Sequence, residues 1–246
     1  MQRYFAIAEL KVGDSFTLDT ATRRHAAIVL RMQPGDQFEL ADSNGKVFLS
    51  TITDLDPLTV HVDEDITRNV ELPIDVTIVC GVAKSQKAEL ITQKTTELGV
   101  SRIIFANSQW GTARWEETRK RRKLDRLQLI AHGAAEQSHR NKIPQIEFLP
   151  HLTDAKKILA DAKLIAYEES AKEGESGQLI QTLAGHPRSL VVVFGPEGGI
   201  APEEIKQLTA AGYKNAALGP RILRTETAPL YLLSAISALT ELRKDE

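Results

Sequence analysis

The segment Ser189–Phe194 reads Ser-Leu-Val-Val-Val-Phe and runs straight into Gly195-Pro196-Glu197-Gly198-Gly199. Five consecutive apolar residues leave this strand no polar face, so it must be covered on both sides. Such strands belong to parallel sheets held between layers of helices, and no other feature restricts the fold as much. Its surroundings agree. Residues 76–79, 102–105, 163–167 and 215–218 predict further strands, and residues 84–98, 114–139, 176–183, 202–211 and 225–243 predict the helices that alternate with them. Gly99 sits where a helix-ending glycine is wanted, and Pro202 opens a helix at a position that needs no backbone donor. In the last helix Leu232, Leu233, Ile236 and Leu239 fall on one apolar face.

The first 70 residues follow another pattern. Residues 37–40, 47–51 and 58–62 predict short strands, separated by Pro34-Gly35-Asp36, Asn44-Gly45 and Asp56-Pro57. Asn-Gly between extended runs is a hairpin signal. Residues 20–32 predict the single helix of this part, with Ala26, Val29 and Leu30 as its buried side. A small β-barrel with one helix is the economical architecture, and a fragment of a β-sandwich is the alternative. The chain of 246 residues then divides into a first domain over 1–70 and a second over 74–246, with Pro73 at the change of period.

Charge follows the same division. Residues 1–70 hold 7 basic and 11 acidic side chains, which leaves 24 basic and 22 acidic for the rest, so an anionic partner belongs with the second domain. The single cysteine, Cys80, excludes an internal disulfide, and six histidines without tight spacing offer no metal site. No apolar run reaches the length of a membrane span, and Met1-Gln2-Arg3-Tyr4-Phe5 is unlike a secretory signal. The expectation is a soluble cytoplasmic protein.

Two loops stand out. Gly195-Pro196-Glu197-Gly198-Gly199 lies between a buried strand and a helix, where open parallel sheets bind their ligands. Its glycines let backbone approach a ligand, although a tight strand-to-helix turn wants the same residues. It is neither a GxGxxG nor a Walker A sequence. Leu218-Gly219-Pro220-Arg221-Ile222-Leu223-Arg224-Thr225-Glu226-Thr227-Ala228 occupies the equivalent place one strand later. Its mixture of apolar, hydroxyl and charged groups suits a flat heterocycle on a ribose, while Thr225 and Glu226 also suit a helix start.

Arg119-Lys120-Arg121-Arg122-Lys123 places five basic residues in a row, with Trp110 and Trp115 nearby. That pattern serves phosphate binding and base stacking, and equally a solvated helix face. Residues 84–97 space Lys84, Lys87, Glu89, Gln93, Lys94 and Glu97 as an amphipathic helix with ion pairs one turn apart. Ala135-Glu136-Gln137-Ser138-His139-Arg140 clusters polar groups at a helix end.

Taken in order, Gln93-Lys94-Thr95-Thr96-Glu97-Leu98-Gly99-Val100, Ala135 to Arg140, the Gly195 loop and the Leu218 loop resemble the bacterial small-subunit ribosomal RNA uridine-N3 methyltransferases, a branch of the SPOUT superfamily. The resemblance extends to Arg3-Tyr4-Phe5 and to His25 followed by Val29-Leu30-Arg31, so it spans nearly the whole chain. It implies an α/β fold with an N-terminal PUA-like β-barrel and a C-terminal, trefoil-knotted methyltransferase domain. It also implies a homodimer, S-adenosylmethionine as cofactor and small-subunit ribosomal RNA as substrate, with no metal.

By the same resemblance the cofactor residues are Tyr167, Glu168, Phe194, Gly195, Pro196, Glu197, Gly198, Gly199, Leu218, Gly219, Ile222, Leu223, Arg224, Thr227 and Ala228. Arg3, His25, Arg31, Lys94, Arg119, Lys120, Arg121, Arg122 and Lys123 would hold RNA. Ala201 stands where a Ser or Thr cap is common, and Pro229 falls in the first turn of the last helix; neither touches the chemistry.

N3 of uracil carries a proton, so the reaction needs its removal, alignment with the sulfonium methyl group and stabilisation of the developing oxyanions. Arg224 is the first candidate for that electrostatic role, then Arg140 and Glu136. Glu197 and Glu226 are the candidate proton acceptors. The alternatives are methylation of another RNA position, such as a ribose 2′-hydroxyl, and a non-catalytic RNA-binding assembly factor.

Overall fold

The computed structural model describes residues 1–167 and 177–242. The chain forms two compact units, one made of Met1–Glu71 with Ala135–Lys142, the other of Leu72–Ala134 with Ile143–Glu246. A single cut near residue 70 therefore does not separate them, because Ala135–Lys142 packs with the first unit.

The first unit is a mixed sheet of β1 (Arg3–Phe5), β2 (Ser15–Thr17), β3 (Gln37–Ala41), β4 (Val47–Leu55) and β5 (Leu58–Asp65), in the order β1-β3-β4-β5-β2. Only β1 and β3 run parallel; the other pairs are antiparallel. The Asn44-Gly45 turn joins β3 to β4, with Gly45 at φ +81 and Asp42 Oδ1 accepting from the backbone N–H of Asn44 and Lys46 at 2.8 and 2.9 Å. Tyr4, Phe38, Leu40, Phe48, Ile52, Leu58, Val60 and Val62 form the core.

The helix expected over residues 20–32 is broken in character. α1 (Thr20–Arg23) starts on Asp19, whose carboxylate accepts from the Thr22 N–H at 2.8 Å. It then widens into a π-helical turn over Arg24–Val29, closed by the Leu30 N–H on the His25 carbonyl at 2.9 Å. The wider turn takes the side chains off the 3.6-residue repeat. Ala26 is buried, but Val29 is 61% exposed and Leu30 44%, so two of the three positions expected in the core face solvent.

The second unit contains β6 (Asp75–Gly81), β7 (Arg102–Ala106), β8 (Gln145–Leu149), β9 (Ala162–Ala166), β10 (Ser189–Phe194) and β11 (Lys214–Ala216). They form one sheet in the order β11-β9-β10-β6-β7-β8, with every pair parallel. Its described helices are α2 (Ser85–Glu97), α3 (Glu117–Gln137), α4 (Gln178–Ala184), α5 (Pro202–Ala210) and α6 (Thr227–Thr240), with a 3-10 turn over Leu152–Lys157. Alternation along β10 explains its sequence. Leu190, Val192 and Phe194 join the core with Leu232, Leu233 and Ile236 of α6, and Val191 and Val193 join Leu208, Tyr213 and Leu152 on the other face. Leu239 is 38% exposed and leaves the apolar face of α6 one residue short of the expectation. No described helix is long and apolar enough to cross a membrane.

Register positions the loops. Phe194 at the end of β10 lies opposite Cys80 of β6 and Ala166 of β9. The carboxyl ends of these three strands therefore lie side by side at one edge of the sheet.

Candidate functional site

At that edge lies a cavity of about 340 Å³, walled by Ala166, Phe194, Gly195, Pro196, Glu197, Gly199, Ile200, Ile222, Leu223, Arg224, Thr225 and Ala228, with Lys87 reaching in from α2. Backbone crowding shapes it. A Cβ on Gly81, at the end of β6, would lie 2.5 Å from both the nitrogen and Cδ of Pro196. A Cβ on Gly195 would lie 2.9 Å from Cγ1 of Ile200, and one on Gly198 would lie 2.5 Å from the Trp110 carbonyl oxygen. Gly199 takes φ +80, where an L side chain is strained. The glycines serve a tight turn and a ligand-facing backbone together.

The buried carboxylate of Glu204 ties this loop to its neighbours. It accepts from Ser108 Oγ at 2.9 Å, from the Gln109 N–H at 3.1 Å and from the Ala201 N–H at 3.2 Å. Ala201 lacks a capping side chain, and Glu204 reaches back to satisfy a donor at that helix start.

One cation and two carboxylates line the polar side. Lys87 Nζ lies 3.1 Å from Glu197 Oε1 and 3.0 Å from Glu226 Oε2. The hydrogen bond to Glu226, then that to Glu197, holds the ammonium more basic than an ordinary lysine. Burial pushes Glu226 up, but a backbone hydrogen bond and the Lys87 and Arg224 charges outweigh it and hold the carboxyl below the usual range. Glu226 is thereby a weak proton acceptor.

Nine of the residues expected to hold cofactor line the cavity: Phe194, Gly195, Pro196, Glu197, Gly199, Ile222, Leu223, Arg224 and Ala228. Tyr167, Gly198, Leu218, Gly219 and Thr227 do not. Gly198 packs on the Trp110 backbone, Leu218 packs against the core, Gly219 turns the chain at φ +84, and the Thr227 N–H bonds the Arg224 carbonyl at 2.8 Å as α6 begins. Tyr167 packs against the second core and donates its backbone N–H to the Ala216 carbonyl at 3.1 Å. Glu168 lies outside the described residues. Lys87, Ala166 and Ile200 stand outside the expected segments, and Thr225 lies inside the Leu218–Ala228 loop. Lys87 reads from spacing as a surface ion-pair residue; the signal that it faces the site is its place just after β6, beside β10.

The residues do fit S-adenosylmethionine. Ile200, Ile222, Leu223 and Ala228 offer apolar surface to a purine, the Gly195 and Gly199 backbone can approach closely, and carboxylates and cations stand ready for ammonium, hydroxyl and carboxylate groups.

The other expected residues fall elsewhere. Arg3 is 7% exposed, and its guanidinium donates to Glu39 Oε2 at 2.8 Å, to Asn141 Oδ1 at 2.9 Å and to the His139 carbonyl. Arg140 is 4% exposed, with Nε donating to Glu71 Oε2 at 3.1 Å; Glu71 Oε1 also accepts from the Asn141 N–H at 2.9 Å. Both arginines are ion-paired within the first unit, where they clasp Ala135–Lys142, and neither lines the cavity at the end of β10. Glu136 also belongs to the first unit, and burial, with the Asp19 charge adding, pushes its carboxyl up to about 7. His25 Nδ1 is 3.0 Å from the Tyr4 hydroxyl, and Arg31 is exposed at φ +58.

Lys94 pairs with Glu97 at 2.9 Å, as the spacing along α2 predicts. Arg121 and Arg122 are exposed on α3, Lys120 lies 5.9 Å from the Phe148 ring centroid, and the side chain of Arg119 lies outside the described residues. Trp115 is a core residue, tilted against Phe105 and stacked on Phe148. Trp110 is 49% exposed.

Known proteins agree with this architecture. Residues 70–237 match the family of RNA methyltransferase domains and residues 18–65 the RNA methyltransferase PUA domain. The chain is 37% identical to ribosomal RNA small subunit methyltransferase E of Bacillus subtilis, over 100% of both chains, and 32% identical to that of Mycobacterium bovis, over 88% of this chain and 83% of the relative. The crystal structure of a ribosomal RNA small subunit methyltransferase E from Neisseria gonorrhoeae, bound to S-adenosyl methionine, superposes with a TM-score of 0.82 at 31% identity, covering 97% of this chain and 98% of that one. With its mixed N-terminal sheet, its all-parallel second sheet and full-length similarity, the chain belongs to the ribosomal RNA small subunit methyltransferase E family.

Proposed function

We propose that this protein transfers a methyl group from S-adenosylmethionine to N3 of a uridine in small-subunit ribosomal RNA, as a cytoplasmic homodimer with the knotted chain path of its superfamily. The observation that carries the reading is the cavity at the end of β10, where the Gly195 and Ile222–Ala228 segments meet around Lys87 and Arg224. The cofactor supplies an electrophilic methyl group there.

The chain's residues then divide the work. Ile200, Ile222, Leu223 and Ala228 would hold the adenine, and the Gly195 and Gly199 backbone would position the remainder. Lys87 pairs with Glu197 and helps hold Glu226 ionised, and both carboxylates face the cavity region as acceptors for hydroxyl or ammonium hydrogens. The lowered Glu226 is a weak base toward N3. Arg224, exposed at the cavity, instead stabilises the uracil oxyanion and so lowers the cost of losing the N3 proton to solvent. The target base must leave its stack to reach this edge, which suits irregular or single-stranded RNA.

The test is transfer of labelled methyl to small ribosomal subunits from cells lacking the protein, followed by nucleoside analysis. We expect 3-methyluridine, lost in Arg224→Ala. A 2′-O-methylated product would move the specificity, and no transfer despite cofactor binding would refute the enzymatic reading.

A further inference from the structure

A second cavity, about 580 Å³, lies between α2 and α3 and shares no lining residue with the first. Its walls are Ala88 and Glu89 of α2, then Trp115 and the Thr118, Arg122, Lys123, Arg126 and Leu127 side chains. The inner part is apolar, since Ala88, Trp115 and Leu127 are 1%, 5% and 3% exposed. The rim is cationic. Arg126 spends its charge on Glu89, with Nη2 at 2.9 and 3.0 Å from the two carboxylate oxygens. Arg122 has no carboxylate partner among the described residues, and Lys123 Nζ rests 5.3 Å from the Trp115 ring centroid rather than on an acid.

From this juxtaposition we infer that the α2–α3 cavity is a nucleotide subsite, which takes an unstacked base against its apolar wall and the adjoining phosphate on Arg122 and Lys123. A solvated helix face would need neither a concave apolar floor nor uncompensated cations around it. Base–aromatic and base–aliphatic contact with a neighbouring phosphate is the chemistry by which proteins hold single-stranded RNA. The volume falls within the range of small-molecule clefts. Helix α2 forms a wall of both cavities, through Lys87 on one side and Ala88 and Glu89 on the other. RNA seated here would thus lie one helix away from Arg224. The inference rests on the reading of this chain as one that acts on RNA.

The experiment measures binding of a fluorescein-labelled octauridylate by anisotropy to the full chain, to Arg122→Glu and to Thr118→Glu. Both substitutions leave the apolar floor intact, and an acid at 118, in the first turn of α3, favours the helix. Each variant should bind about tenfold more weakly, the size of one lost nucleotide contact, with a shallower salt dependence. Calorimetric affinity for S-adenosylmethionine should not change. Uridine monophosphate should displace the octauridylate at concentrations where inorganic phosphate does not. Variants that bind within about twofold of wild type would overturn the subsite. So would equal displacement by phosphate, which would mark a merely cationic surface. Unchanged octauridylate binding together with lost methylation of assembled subunits would also overturn it, in favour of a protein contact. If wild type binds as described but methylates nothing, the subsite stands and the proposed activity falls.

Discussion

Oε2 of Glu226 lies 3.0 Å from Nζ of Lys87. This contact joins the loop before α6 to the first turn of α2. Glu197 competes for the same ammonium at 3.1 Å, so one cation is shared by two carboxylates. Lys87→Met would leave two like charges side by side. Calorimetry should show S-adenosylmethionine binding weakened by about tenfold or more, since the pocket's charge balance is lost. Affinity within twofold of wild type would remove Lys87 from the site.

The pH dependence of that contact has a definite sign. Glu226 is held below its unfolded value, so its contribution to stability is present above the unfolded pKa and is lost as pH falls through the folded one. Denaturant midpoints of wild type and Glu226→Gln should therefore differ at neutral pH and converge in acid. A constant difference would sink the assignment.

Glu136 should behave in the opposite sense. Its carboxyl is pushed up to about 7 by burial, with Asp19 adding, so stability falls as pH rises from the unfolded value toward 7 and levels off above it. Glu136→Gln should be more stable than wild type above pH ~7 by on the order of 2 kcal/mol, with the gain fading toward pH ~4.5. Urea titrations at three pH values would decide it.

Gly81 makes no contact with the cavity yet controls it. Its Cβ in Gly81→Ala would sit 2.5 Å from Pro196, which must move or strain the end of β6. Overpacking of this kind costs about 1–3 kcal/mol. The variant should lose cofactor affinity along with thermal stability, and a variant with normal cofactor binding would show that Pro196 yields freely.

Arg3 tests the clasp. Arg3→Met leaves Glu39 and the His139 carbonyl without their shared donor, a loss of about 3 kcal/mol for a broken buried pair. Arg3→Lys should recover only part of it, because an ammonium cannot copy the guanidinium fork. Chemical denaturation of all three proteins measures both statements.

The central sheet was legible because its strands obey one rule. A strand buried on both faces is largely apolar; β10 announces itself that way, and β6 and β7 do so apart from Asp75, Thr77 and Arg102. Strand β8, Gln-Ile-Glu-Phe-Leu, escaped notice because it stands at the sheet edge and buries little. Strands β1 and β2, three residues each, exist through their partners and carry no local pattern. The π turn after α1 was invisible for a related reason, since nothing in Arg-His-Ala-Ala-Ile-Val distinguishes it from an α-helix. In the site, glycine loops after strands gave the cavity away. Lys87 escaped because adjacency of β6 and β10 is a tertiary fact. Arg3 reads as an RNA-holding residue and Arg140 as a catalytic candidate, and their buried partners stay hidden because sequence shows charge without showing what it pairs with.

The clasp of Glu71 and Arg3 on Ala135–Lys142 has a consequence for biosynthesis. During translation the N-terminal sheet emerges with Glu71, but the strap that completes its unit is made only with residues 135–142. At usual synthesis rates that delay is roughly several seconds. Through that interval Glu71 lacks Arg140, and the Arg3–Glu39 pair lacks the contacts that Asn141 and His139 add to it. The nascent N-terminal sheet must therefore wait, unfinished, for a piece of chain that belongs by sequence to the next domain.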